Sequence, residues 1–325
     1  MSDNFTNKSD LNILYLVIPC FNEENMLPIT TEELKKKMNQ LILENKISGL
    51  SKVLYIDDGS RDGTWEFIED IHNKNDMFCG VKLSSNKGHQ NALFAGLMVA
   101  KKHADVTISM DADLQDDINV IDKMLDEYNG GSQIVYGSRS SRKKDSFFKR
   151  FTAESFYKFM NFMSVEIVFN HADCRLMSKV TLEALAEYGE VNLFLRGIVP
   201  QIGYQTSVVY YERNERVAGE SKYPIKKMIK FAVEGITSFS IKPLKIIASI
   251  GFFMSIISFV VLLYALVVKI IGVTVSGWTF IIVSIWLVSG IQMLSLGILG
   301  EYVGKIYEET KNRPNNRKRI NMIVI

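Results

Sequence analysis

The chain has 325 residues, enough for one large or two ordinary domains, and its 38 Lys and Arg nearly balance 36 Asp and Glu, for a formal net charge of +2. That balance argues against a dedicated nucleic-acid binder, which carries a strong basic excess. Cys20, Cys79 and Cys174 are far apart and match no zinc or redox spacing, which points to a reducing compartment. Residues 1–10 are polar, so no cleavable signal peptide is expected.

From residue 12 to residue 137 short apolar runs alternate with helical patterns. Ile13–Pro19 reads as a strand rich in branched residues, Glu33–Leu43 as a helix, Val53–Asp57 as a strand and Thr64–His72 as a helix. Val81–Leu83, Val106–Met110 and Ile134–Gly137 read as further strands, with helices over Gln90–Lys102 and Ile118–Tyr128. Such alternation predicts βαβ units and an α/β fold with a mostly parallel sheet. No Gly-x-Gly-x-x-Gly opens a helix and no P-loop motif occurs, which disfavours a dinucleotide dehydrogenase and a P-loop NTPase.

Residues 140–163 change character. Arg139, Arg142, Lys143, Lys144, Lys149 and Arg150 crowd together, interleaved with and followed by aromatic residues such as Phe147, Phe148, Phe156 and Phe159. A basic segment running into an aromatic amphipathic helix suits a lipid surface. Tyr223–Phe239 has a similar make-up. Ile246–Val268 and Trp278–Gly300 then contain no charged residue. Each is 23 residues, roughly 34 Å as helix, against a hydrocarbon core of about 30 Å. Two transmembrane helices in a hairpin are therefore expected. Lys242, Lys245 and the basic stretch Lys311–Arg319 put both ends on the cytoplasmic side by the positive-inside bias. The expected organisation is a catalytic domain over 1–222, a juxtamembrane amphipathic helix over 223–245, two spans within 246–304 (about 246–268 and 278–300) and a basic tail over 305–325. That places the chain in the cell's inner membrane as a multi-pass protein, with a cytoplasmic catalytic domain and the bilayer as a partner.

Polar loops follow four consecutive strands and land on one edge of the expected sheet. They are Pro19-Cys20-Phe21-Asn22-Glu23-Glu24, Asp57-Asp58-Gly59-Ser60, Asn86-Lys87-Gly88-His89 and Asp111-Ala112-Asp113-Leu114-Gln115. Ligands bind at the carboxyl edge of such sheets, where a carboxylate can accept hydrogen bonds from a ribose or base. Gly59 and Gly88 allow close backbone approach. Each loop alone reads equally as an ordinary turn. Together they favour a site for a nucleoside diphosphate. Asp111 and Asp113, two apart at a strand end, can converge on one hard cation that prefers oxygen ligands and phosphates. His89 and His171 read as polar loop groups without a catalytic role.

Ile18-Pro19 with Asn22-Glu23, Asp57-Asp58-Gly59-Ser60 and Asp111-Ala112-Asp113-Leu114-Gln115 resemble the family 2 glycosyltransferases of the GT-A fold. Asp173-Cys174-Arg175-Leu176-Met177, Phe194-Leu195-Arg196-Gly197, Arg216 to Tyr223 and Gly300-Glu301-Tyr302-Val303-Gly304 resemble the bactoprenol glucosyltransferase branch, which includes relatives of dolichol-phosphate mannose synthase. The resemblance runs from about residue 12 to residue 314. It implies an inverting, metal-dependent hexosyltransferase that moves one sugar, most often glucose from UDP-glucose, onto undecaprenyl (bactoprenyl) phosphate for cell-envelope glycan modification. It further implies that Asp113 ligates Mg²⁺ or Mn²⁺ with support from Asp111 and Gln115. Asp57, with Pro19, Asn22, Glu23, Asp58, Gly59 and Gly88, would hold the nucleotide sugar, and Arg213, Ser221 and Lys222 would close over the diphosphate.

Arg139, Lys149, Arg150 and Arg175 are the implied contacts for the acceptor phosphate, since guanidinium groups clamp phosphate oxygens. Attraction of Lys149 and Arg150 to anionic lipid is the equal alternative. Asp173 would orient the reacting groups or act as a base, or form a structural pair with Arg175. The sequence departs from the family at His171-Ala172, where Gly is expected, and at Gln201, which replaces an aromatic. Oligomerisation of the chain is plausible, and no nucleic-acid partner is expected. Two other readings stay open: a processive polysaccharide synthase, disfavoured by the missing Gln-x-x-Arg-Trp motif, and a non-catalytic partner that only binds nucleotide sugar.

Overall fold

Every residue of the first strand, β1 (Leu14–Cys20), is buried, because this strand lies inside the sheet and is covered on both faces. The computed structural model describes residues 11–139, 162–163, 171–189, 193–212, 236–237, 240–271 and 277–310. After β1 come α1 (Leu27–Leu43), β2 (Lys52–Asp57), α2 (Thr64–Lys74), β3 (Phe78–Lys82), α3 (His89–Ala100), β4 (Val106–Ser109), α4 (Val120–Asn129) and β5 (Ile134–Arg139). Then follow β6 (His171–Ser178), α5 (Lys179–Glu187), α6 (Leu195–Gln201), β7 (Thr206–Tyr211), α7 (Lys242–Ile271) and α8 (Trp278–Thr310).

The sheet has seven strands in the order β3-β2-β1-β4-β6-β5-β7. Only the β4–β6 and β5–β6 pairings are antiparallel; β1–β2, β1–β4, β2–β3 and β5–β7 are parallel. The mostly parallel α/β sheet expected from the alternation is therefore present. Because β6 alone runs backwards, its N-terminal end shares an edge with the C-terminal ends of the other six strands. Chain reversal thus brings residues 171–173 to the edge where residues 20, 57 and 111 emerge. One face is filled by Leu14, Leu16 and Ile18 of β1 with Leu34, Met38 and Leu41 of α1 and Ile121 and Met124 of α4. On α3, a Cβ at Gly96 would come within 2.6 Å of Ile56 and Val17 side-chain atoms, so the missing side chain lets this helix lie close on the sheet.

Four elements stand out against the sequence expectation. Helix α1 begins at Leu27, six residues before the expected Glu33, because Pro28 sits in its first turn, where its fixed φ suits a helix start. Strand β3 begins at Phe78, where pairing with Val53 of β2 extends it backwards. Strands β6 and β7 were not anticipated at all.

The chain divides into two compact units: Met1–Ser155 with Ile167–Lys222 and Pro314–Ile325, and Phe156–Glu166 with Tyr223–Arg313. Within the second unit, the Tyr302 hydroxyl donates to the Ser240 carbonyl at 2.5 Å, tying α8 to the chain just before α7. Lys242 donates to the Phe162 carbonyl and lies over that residue's ring. The expected amphipathic helices over 140–163 and 223–245 lie largely outside the described residues, as does the basic stretch Lys311–Arg319.

The two charge-free stretches do fall on helices, α7 and α8. Among the described residues, however, no helix is long and apolar enough to cross a membrane. That finding overturns the transmembrane hairpin and, with it, the multi-pass placement in the inner membrane. The expectation rested on the absence of charged residues over each 23-residue stretch.

Candidate active site

The β1–α1 and β2–α2 loops are stitched together by short polar side chains. Asn22, at φ 53°, donates its backbone N–H to Ser60 Oγ at 2.9 Å, and its Oδ1 accepts from the Arg61 N–H at 3.0 Å. Thr64 Oγ1 accepts the Glu23 N–H at 2.9 Å, and Glu24 Oε2 accepts the Gly63 N–H at 2.7 Å. Asn22 thus shapes the loop that presents Glu23.

The adjacent acids at the end of β2 differ in their partners. Asp58 accepts the Lys87 N–H at 2.7 Å and the Gly88 N–H at 2.9 Å, so its carboxylate fixes the β3–α3 loop. Burial pushes its pKa above the usual carboxylate value, against the two N–H bonds, which pull it down. Asp57 Oδ1 accepts the Ser60 N–H at 3.0 Å, but Oδ2 is buried with no hydrogen-bond partner among the described residues. A buried carboxylate oxygen without a donor is costly and marks a place where a ligand's N–H or O–H would fit. Gly59 packs the two loops together: it sits at φ +70°, and a Cβ there would lie 2.7 Å from Asn86 N.

Asp111 and Asp113 follow β4 on a turn held from two sides. Thr30 of α1 donates its hydroxyl to the Ala112 carbonyl at 2.6 Å, in the buried interior. Asp113 Oδ1 accepts the Gln115 N–H at 3.2 Å, across Leu114 at φ 52°. Gln115 itself is buried and is not among the residues that line the cleft.

These loops enclose an open cleft of about 320 Å³ at the carboxyl edge of the sheet. Pro19, Glu23, Asp58, Gly88, Asp111 and Asp113 line it, together with Cys20, Phe21, Asn86, His89, Ala92 and Ala112. Asp57, Asn22 and Gly59 support the same loops from outside that lining. His89, which the sequence placed in the third polar loop without a catalytic role, lines the cleft too; its contact with Asp111, Nε2 to Oδ1 at 3.7 Å, joins residues 22 positions apart and was unforeseen. Cys20 also lines the cleft, and burial, then the nearby Glu23 and Asp57, push its thiol pKa well up. A second unforeseen residue is Gln90, whose Oε1 accepts the Leu195 N–H at 2.9 Å and so links α3 to the Phe194-Leu195-Arg196-Gly197 stretch.

Arg139 ends β5, opposite Tyr211 of β7. Asp173 lies on β6, two residues before Arg175, which pairs antiparallel with Ser109, itself two residues before Asp111. The backbone therefore carries Arg139 and Asp173 to the edge that bears the cleft. Arg175 itself is buried, with its guanidinium carbon 5.4 Å from the centre of the Tyr136 ring, and it does not line the cleft. Lys149, Arg150, Arg213, Ser221 and Lys222 lie outside the described residues. Among the described residues no group of three or more His, Cys, Asp or Glu side chains forms a complete metal site. Asp111 and Asp113 fit instead an ion that takes two protein oxygens and completes its shell from phosphate and water, as Mg²⁺ does.

The cleft lies at the carboxyl edge of the open sheet, the place where ligands bind in α/β folds of this kind. Residues 15–186 match the family described as Glycosyl transferase family 2. The chain belongs to that family. It is 49% identical over 309 residues to the uncharacterized glycosyltransferase YkoT of Bacillus subtilis, covering 94% of this chain and 91% of the relative. It is 39% identical over 301 residues to the bactoprenol glucosyl transferase of Shigella phage SfX, covering 92% of this chain and 96% of that protein.

Proposed function

We propose that this glycosyltransferase moves a single sugar, glucose in the first instance, from a UDP-sugar to a polyprenyl phosphate. The observation that carries the donor half is the cleft at the carboxyl edge of the sheet that Asp111 and Asp113 line together with Glu23 and Asp58. The acceptor half is supported by the 39% identity to a bactoprenol glucosyl transferase over most of both chains.

The chemistry asks little of a base. A phosphate monoester has a second pKa near 6, so the acceptor is largely a dianion at pH 7 and is already a nucleophile. Its oxygen attacks the anomeric carbon, the bond from that carbon to the β-phosphate oxygen breaks, and UDP leaves with the electron pair. In-line displacement inverts the anomeric centre. Asp57 accepts hydrogen bonds from the base or ribose, and Asp58 holds the loop that carries Gly88 and His89. Asp111 and Asp113 would hold Mg²⁺ or Mn²⁺, which when bound supplies Lewis-acid neutralisation of the diphosphate. Arg139, at the end of β5, meets the acceptor phosphate, and Asp173 orients the reacting groups.

The test incubates the full chain with labelled UDP-glucose, polyprenyl phosphate and Mn²⁺, with EDTA as the control. Labelled lipid that disappears with EDTA is the expected product. No labelled lipid from any UDP- or GDP-sugar would leave only a nucleotide-sugar binder, and a long water-soluble polymer would indicate a synthase.

A further inference from the structure

Four acids, Glu23, Asp58, Asp111 and Asp113, line the cleft, and among its described lining residues there is no Lys or Arg. A diphosphate brought into that field meets like charge, which costs affinity unless positive groups or N–H donors face it. A cation held by Asp111 and Asp113 answers part of this. Two lining side chains can add to it without a metal, the Asn86 amide and His89, whose ring nitrogens donate when they carry a proton. The His89 side chain is 41% exposed, so a ligand in the cleft can reach it, and Nε2 stands 3.7 Å from Asp111 Oδ1. A phosphate that shares an ion with Asp111 is thereby brought beside this ring. The backbone just before His89 is held by both oxygens of Asp58, so the ring is presented from a fixed loop.

We infer that His89 donates a hydrogen bond to the β-phosphate of the nucleoside diphosphate donor, a contact that rests on the donor reading given above. The β-phosphate is the group that gains charge as the sugar departs, so a donor placed there stabilises departure more than binding. His89 is then a binding residue for the leaving group, and its loss falls on diphosphates rather than monophosphates.

The experiment titrates UDP and UMP, each with Mn²⁺ present, into the full wild-type chain and into His89→Ala and His89→Gln. UMP lacks the β-phosphate but keeps the base, the ribose and the α-phosphate. His89→Ala is expected to weaken UDP about tenfold or more while UMP changes by less than about twofold. His89→Gln, which keeps an N–H donor of similar reach, is expected to recover part of the UDP affinity. Equal weakening of UDP and UMP, or unchanged UDP affinity in His89→Ala, overturns the proposal. Failure of the wild-type chain to bind UDP would overturn the donor reading and this contact with it, and that result is visible before any substitution is made.

Discussion

The carboxylate of Asp58 accepts the backbone N–H of Gly88 at 2.9 Å, across 30 residues of chain. That contact separates the tasks of two neighbouring acids. Asp58 is committed to holding a loop, whereas Asp57 keeps one buried oxygen for a donor that the described residues do not supply.

Asp57→Asn retains the oxygen that receives the Ser60 N–H but replaces the unpartnered one with an amide. We expect UDP to bind about tenfold more weakly, the scale of one hydrogen bond to a charged group. The melting temperature should stay close to that of the wild type. Unchanged UDP affinity by calorimetry would remove Asp57 from the nucleotide site.

Asp113→Ala deletes one of the two carboxylates available to a cation. Sugar transfer should fall by about a hundredfold or more, because charge stabilisation is the main contribution asked of this site. Far-UV circular dichroism should be unchanged, since Asp113 lies on a turn outside the core. Full transfer activity in this variant would sink the metal assignment.

Thr30→Val keeps the side-chain shape and removes the hydroxyl that donates to the Ala112 carbonyl at 2.6 Å. Losing this partner in a buried setting costs about 1–3 kcal/mol. The denaturation midpoint should drop accordingly. Activity should drop as well, because the same bond holds the turn between Asp111 and Asp113. A variant with full stability and reduced activity would show that the bond matters only for the turn.

Asp122 of α4 pairs with Lys37 and Lys46. Burial pushes its carboxyl pKa up, but hydrogen bonds from Lys37 and Lys46 outweigh that and hold it below the usual value. A depressed folded-state pKa means that the pair's contribution is present above the unfolded pKa of about 3.9. It is lost as the pH falls through the folded value. Asp122→Asn should therefore be less stable than the wild type at pH 7, and the gap should narrow below about pH 4. Parallel denaturant titrations at the two pH values check this; a gap of constant size would contradict the sign.

That the polar loops meet at one cleft was legible because each loop carries its own signature. Asp111-Ala112-Asp113 sits after a branched apolar run, and Asp57-Asp58-Gly59-Ser60 after another, so strand ends and acids could be read together. The split between Asp57 and Asp58 could not, because it depends on which backbone N–H groups approach from residues 87 and 88. His89 was passed over for the same reason: its neighbour Asp111 is on a different βα unit. Strands β6 and β7 were missed because their sequences follow no regular helix–strand alternation, and β7 shows alternating exposure only once it is paired at the sheet edge.

The C-terminal stretches show the opposite case. An absence of charge over Ile246–Val268 and Trp278–Gly300 made helices legible, and helices are there. The reading that these cross a membrane did not survive, since no helix among the described residues is long and apolar enough.

The sequence by itself determined a mostly parallel α/β sheet and the order in which its acidic loops arrive, because strand and turn signals are local and repeat along the chain. Tertiary structure alone decided the reversal of β6, which brings Asp173 to the edge that carries Asp111. It also decided which acid is spent on the fold and which is left for a ligand. Those outcomes depend on hydrogen bonds and register between segments tens of residues apart, and no local pattern encodes them.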